Sequence, residues 1–148
     1  MFDIFDQFAT DPKLELEGVW NTIGPAQRTL ENGDPDPDSA PQILVARSGN
    51  KRHGRIVSQQ YEANKSMLDM KDDAADAKGE QITVDAMAKS ILLGWKNLAF
   101  KKEILEDGWN IADAKKMLAV KDFRDMVARL STDFNKYKVV QEAADAKK

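Results

Sequence analysis

The stretch from Glu80 to Leu98 places the tightest limit on how this chain folds. Val84, Met87, Ala88, Ile91, Leu92, Trp95 and Leu98 recur at the i, i+3, i+4, i+7 spacing of one helical face. Asp85, Lys89 and Lys96 fall elsewhere around such a helix and supply its wet side. Trp95 is the largest side chain on the apolar face and buries on the order of 200 Å² when packed. The spacing predicts a central core helix over Glu80–Leu98. Segments before and after it carry apolar stripes that complement it.

A chain of 148 residues is long enough for one domain with a real core. Charged residues make up 32% of it, a content that suits amphipathic helices with solvated faces. The net charge of -3 argues against a nucleic-acid binder by overall composition. Without cysteine there is no disulfide, thiol nucleophile or thiolate metal site, as suits a reducing cytoplasm. The opening Met1-Phe2-Asp3-Ile4-Phe5-Asp6 is acidic where a signal peptide is basic. No apolar run is long enough to span a membrane. The expectation is one soluble, intracellular domain over residues 1–148.

Residues 1–13 form an N-terminal segment in which Phe2, Phe5 and Phe8 stand three apart, with Asp3 and Asp6 between them. A turn or two of helix aligns the three rings. They then either pack on the domain's own core or anchor the chain to a partner protein. Asp11-Pro12 marks a break or a helix start. Over Leu14–Ile23 the period changes: Leu14, Leu16 and Trp20 alternate with Glu15, Glu17 and Val19, which predicts a strand with a bulge at Gly18. Ile43–Arg47 reads as a second strand. Residues 14–47 are thus expected to form a β-hairpin, joined by a long mobile loop at 24–41 that holds four of the five prolines.

Asn50 is a good N-cap for a helix over Lys51–Asp73, and Gly79 stops the small, polar run that follows. Asn97–Trp109 fits neither period and suggests a turn or small hairpin. Asn110, with Asp113 three residues on, caps a short helix using Ile111, Ala114, Met117 and Leu118. After a joint at Ala119–Asp122, Phe123, Met126, Val127, Leu130, Phe134 and Tyr137 predict a last helix running to Val140 or Gln141. Residues 142–148 read as a flexible tail. The fold class expected is α+β and predominantly α-helical: an N-terminal β-hairpin, then a four-helix, orthogonal or bundle-like core over 50–141.

Chemistry is sparse. Asp34, Asp36 and Asp38 have the first ligand spacings of a calcium loop, but Ser39 replaces the turn glycine and Val45 the closing glutamate. His53 is the only histidine, so it has no second histidine for a zinc site and reads as a surface residue. Arg47, Lys51, Arg52 and Arg55 form a basic cluster at a helix start. It suits an anion or an acidic protein, but no aromatic residues interleave with it as a stacking platform. The eight glycines form no phosphate-binding pattern. No catalytic residue, metal ligand or cofactor site is predicted.

The order of these pieces resembles the tail assembly chaperone family of long-tailed bacteriophages. The likeness rests on Glu17-Gly18-Val19-Trp20 leading to Ile43–Asn50, on Ala86–Leu98, and on Asn110–Leu118 followed by Asp122–Val127. The loop from Gly33 to Pro41 stands out as an insertion, and His53-Gly54-Arg55 occupies a place where a longer or aromatic side chain is expected. The resemblance implies a non-enzymatic helper that binds the tape measure protein and recruits tail tube protein subunits. Such a helper works in the host cytoplasm and leaves the finished tail. Possible self-association is left open. The client surface expected on this reading is the outer side of the last helix together with Phe2, Phe5 and Phe8. Two alternatives stand beside it: a structural tail component retained in the virion, and a small nucleic-acid-binding regulator using Arg47–Arg55.

Overall fold

A computed structural model describes residues 1–139. It is mixed α/β and mainly helical. In chain order the helices and strands are α1 (Ile4–Phe8), α2 (Pro12–Glu17), β1 (Val19–Thr22), β2 (Gln42–Val45), α3 (Lys51–Ala63) and α4 (Lys65–Asp69). They continue as α5 (Asp73–Ser90), β3 (Leu92–Lys96), β4 (Ala99–Phe100), β5 (Glu103–Ile104), α6 (Ile111–Leu118) and α7 (Lys121–Thr132).

The central stretch is half helix and half strand. α5 begins earlier than the pattern predicts, at Asp73, because the Asp72 side chain accepts a hydrogen bond from Ala75 N and caps it. Gly79 is carried inside the helix, where glycine costs about 1 kcal/mol and the capped start and buried end outweigh it. The helix stops at Ser90, and Leu92–Lys96 turns into β3. Ile91, Leu92 and Trp95 fit a helical stripe on paper, but β2 offers this segment a ladder. Ile43 pairs with Trp95, Leu44 with Gly94 and Val45 with Leu92, the last across a bulge. A backbone edge cannot be read from side-chain spacing.

The expected hairpin is part of a three-stranded antiparallel sheet in the order β1-β2-β3. Leu14–Glu17 is not strand but the end of α2, whose N-cap Asp11 accepts from Lys13 N, with Pro12 in the first turn. Gly18 ends that helix at φ +88°. A Cβ there would lie 3.1 Å from the Val45 carbonyl, so the turn into β1 needs glycine. Trp20 pairs with Leu44 on β2. The Lys96 ammonium sits 4.4 Å over its ring.

The loop at 24–41, expected to be mobile, is laced by specific bonds. The buried Ser39 hydroxyl accepts from Gln27 N (2.9 Å) and Arg28 N (3.0 Å) and donates to Asp36 O (2.7 Å). Asn97, at φ +61°, donates its side-chain amide to Asp38 O (2.8 Å) and Ala40 O (2.9 Å) and accepts from Gln27 Nε2 (2.8 Å). Small polar side chains replace the ladder that proline forbids.

The expected four-helix core differs too. The predicted helix over 51–73 breaks at Asn64 into α3 and α4, and Asn64 turns its amide back onto Gln60 O at 2.7 Å. The last helix ends at Thr132, where Ser131 and Thr132 bond back to Ala128 O and Arg129 O. Asp133 then caps a 3-10 turn over Phe134–Tyr137. The predicted continuation to Val140 or Gln141 and the tail at 142–148 lie outside the described residues. The small hairpin (β4–β5), the Asn110 cap and α6 stand where the sequence places them.

One apolar cluster joins sheet and helices: Ile43 and Val45 from β2, Met87 and Ala88 from α5, Leu92 and Trp95 from β3, Met117 and Leu118 from α6, and Val127 from α7. Trp95 is fully buried and donates its indole N–H to Glu106 O at 2.9 Å.

Candidate protein-binding surface

The N-terminal segment folds as the aligned phenylalanines predict, but not onto the core. Asp3 caps α1 by accepting from Asp6 N at 3.1 Å. No residue of α1 is buried. Phe2 is 68% exposed, Phe5 69% and Phe8 53%. The rings are nevertheless organised. Phe2 meets Phe8 edge-on with centroids 6.1 Å apart, and Phe8 stacks on Phe134 at 5.7 Å. The Lys138 ammonium lies 5.3 Å from the Phe134 centroid on the same cluster.

The root of the segment is fixed by backbone bonds to the chain beyond α7. Asp11 N donates to Tyr137 O at 2.7 Å, and Val139 N donates to Ala9 O at 3.2 Å. Tyr137 is fully buried and donates its hydroxyl to Val45 O at 2.9 Å. Burial raises its pKa to about 12. A rigid base on the sheet therefore carries a row of exposed rings. The outer side of α7, expected to share this surface, is polar: Lys121, Asp125 and Arg129 face water, with Lys121 and Asp125 paired at 2.9 Å. Phe134, just past the helix, is the ring on which Phe8 stacks.

The basic cluster is split. Arg47 reaches Glu15 at 3.6 Å and Thr10 at 3.3 Å and is held in the fold. Lys51, Arg52 and Arg55 are exposed on α3. His53 serves the loop before α3: its Nδ1 accepts from Gly49 N at 3.0 Å, and burial lowers its pKa, favouring the neutral ring. No group of three or more metal-binding side chains gathers among the described residues.

A polar knot was invisible to the sequence reading, which put Asp85 on a wet helix face. Asp85 is largely buried, and its two oxygens take Lys89 at 2.9 Å and Lys115 at 2.8 Å, with Gln60 Nε2 at 2.6 Å. Desolvation pushes its pKa up, but the two lysines outweigh this and hold it below the usual carboxylate value. The group ties α3, α5 and α6 together beside a recess of about 480 Å³ lined by Lys78, Glu80, Gln81 and Val84. With both oxygens engaged, Asp85 acts as a staple. A second recess, of about 300 Å³, is lined by apolar side chains and lies between the sheet end, α6 and the start of α7.

Set against protein-family models, curated proteins and solved structures, the chain matches none. No helix among the described residues is long and apolar enough to cross a membrane.

Proposed function

We propose that this protein is a non-catalytic assembly chaperone of the phage tail type, which holds the tape measure protein and recruits tail tube protein during tail assembly in the host cytoplasm. The observation that carries the reading is the exposed aromatic segment of Phe2, Phe5 and Phe8, with Phe2 and Phe8 ordered on Phe134 and the root of the segment anchored to the sheet through Tyr137. Exposed apolar clusters of this kind mark contacts with other proteins. The resemblance in the order of the elements names the client. Co-expression with the tape measure protein of its own phage tests the proposal. The chain keeps that protein soluble, Phe2→Ala/Phe5→Ala/Phe8→Ala weakens capture while staying folded, and purified particles lack the chain. A tape measure protein that precipitates equally with and without the chain sinks it, and recovery of the chain in the virion favours a structural tail component.

A second reading rests on Lys51, Arg52 and Arg55, which stand exposed on one helix without an ion pair among the described residues. Such a face suits nucleic acid held by its phosphates. It predicts binding that falls steeply between about 50 and 200 mM salt. Absence of any low-salt binding removes it.

A further inference from the structure

The two edges of the three-stranded sheet are finished differently. On β3 the edge is closed: Trp95 N donates to Gly108 O at 3.0 Å, and Gly108 N returns a bond to Trp95 O at 3.1 Å. On β1, the other outer strand, no such bridge forms among the described residues. The phase of the ladder says which groups this leaves free. Ile23 N donates to Pro41 O at 2.9 Å. Bonded and non-bonded rows alternate in an antiparallel pair, so along the same register Asn21–Ile43 and Val19–Val45 are the bonded rows. Trp20 and Thr22 therefore turn their N–H and C=O groups away from β2. Neither meets another backbone group among the described residues.

The side chains leave this edge clear. Trp20 leans inward across the sheet: its Cη2 lies 3.5 Å from where a Cβ on Gly94 would stand, and Gly94 is on β3. Lys96, also on β3, covers the ring at 4.4 Å. Asn21 is buried on the opposite face. Sheets keep strand edges from pairing with charges, proline or a covering element. Val19–Thr22 has neither a charge nor a proline.

We propose that the β1 edge takes up an extended segment of another protein as a fourth strand of the sheet. Trp20 and Thr22 offer two donors and two acceptors at strand spacing, and an extended backbone presents their complement. Side chains of the added strand alternate between the faces. Those beside Trp20 and Thr22 stand on the outer face, where the 41% exposed Trp20 favours valine, isoleucine or threonine. A second copy of this chain is the poorer occupant. β1 is four residues long, with α2 ending at Glu17 before it and Gly24-Pro25 opening the loop after it. Two copies set antiparallel edge to edge bring each α2 against the other's loop, whereas a free segment has no such flanks. The contact uses none of Phe2, Phe5 and Phe8 and goes beyond the chaperone reading.

Amide hydrogen exchange, read residue by residue by NMR, tests the edge. The probe is a blocked peptide of alternating threonine and valine, added up to about 2 mM, as suits a contact made mainly by backbone bonds. In the free protein Asn21 and Ile23 amides are protected while those of Trp20 and Thr22 exchange freely. With peptide the last two become protected. A peptide N-methylated on the amides of its pairing edge loses affinity by roughly 10-fold or more. Thr22→Pro deletes an outward N–H and leaves the ladder to β2 in place, and it loses a similar factor. Thr22→Ala binds as wild type does. Trp20 and Thr22 amides that stay unprotected overturn the proposal, as does equal binding by the N-methylated peptide or by Thr22→Pro. Protection that grows with protein concentration in the absence of peptide makes the occupant a second copy and overturns it too. Phe2→Ala/Phe5→Ala/Phe8→Ala leaves peptide binding unchanged, so failure of this contact and failure of the chaperone reading are told apart.

Discussion

Trp95 and Phe5 are both large aromatic side chains in apolar stripes of helical spacing, and their fates are opposite. Trp95 is fully buried in the sheet with its N–H bonded to Glu106 O, while Phe5 is 69% exposed on a single turn of helix. The difference lies in what surrounds each stripe. β2, α5 and α6 supply apolar walls around Trp95. The N-terminal segment meets the body of the protein through Phe8, the backbone of residues 9–11 and the Thr10 hydroxyl, which accepts from Arg47. Hydrophobic spacing states that a face wants covering. It does not state whether the cover comes from the same chain.

The sharpest way to break this comparison is to truncate both rings. Trp95→Ala should lower the unfolding free energy by about 3–5 kcal/mol in urea melts. Phe5→Ala should stay within about 0.5 kcal/mol. Equal losses would mean that α1 is core and not docking surface.

The next effect concerns the base that carries the rings. The Tyr137 pKa is about 12 in the folded chain against about 10 in the unfolded one. The folded state holds its proton more tightly, so this contribution is complete below pH 10 and is lost as pH rises towards 12. It amounts to about 2–3 kcal/mol. Tyr137→Phe should remove that part of the pH dependence and cost about 1 kcal/mol at pH 7 through the lost bond to Val45 O. Identical alkaline profiles for the two proteins would separate Tyr137 from the core.

Gly18→Ala should cost about 1–2 kcal/mol, because φ is +88° and the added methyl meets the Val45 carbonyl. Thermal melts read this directly. The smallest effect is a gain. Lys101 and Lys102 hold the β4–β5 turn with φ at 50° and 69°. Replacing them with Asn and Gly should stabilise the protein by about 0.5–1 kcal/mol. A loss would show that the lysines make contacts worth more than the turn strain.

Much of the local structure was legible. Asn50 and Asn110 cap α3 and α6 through their own side chains, and caps are local chemistry. Phe2, Phe5 and Phe8 were legible as a coherent row, while their spacing left open whether the row packs on the core or stays exposed. The Asp85 knot was hidden, since Gln60, Lys89 and Lys115 come from three helices that no spacing rule connects.

From the residues alone, then, came the mainly helical class, the Asn50 and Asn110 caps, the small hairpin and the apolar positions themselves. All of these depend on neighbours within a few residues. The tertiary structure alone decided that Leu92–Lys96 leaves the helix to pair with Gln42–Val45, that the proline-rich loop closes on Asn97, and that the Trp95 stripe is covered while the Phe5 stripe is bare. Each of those outcomes rests on a partner some 50 residues or more away in the chain, or on the lack of one, and only the assembled fold brings such partners together.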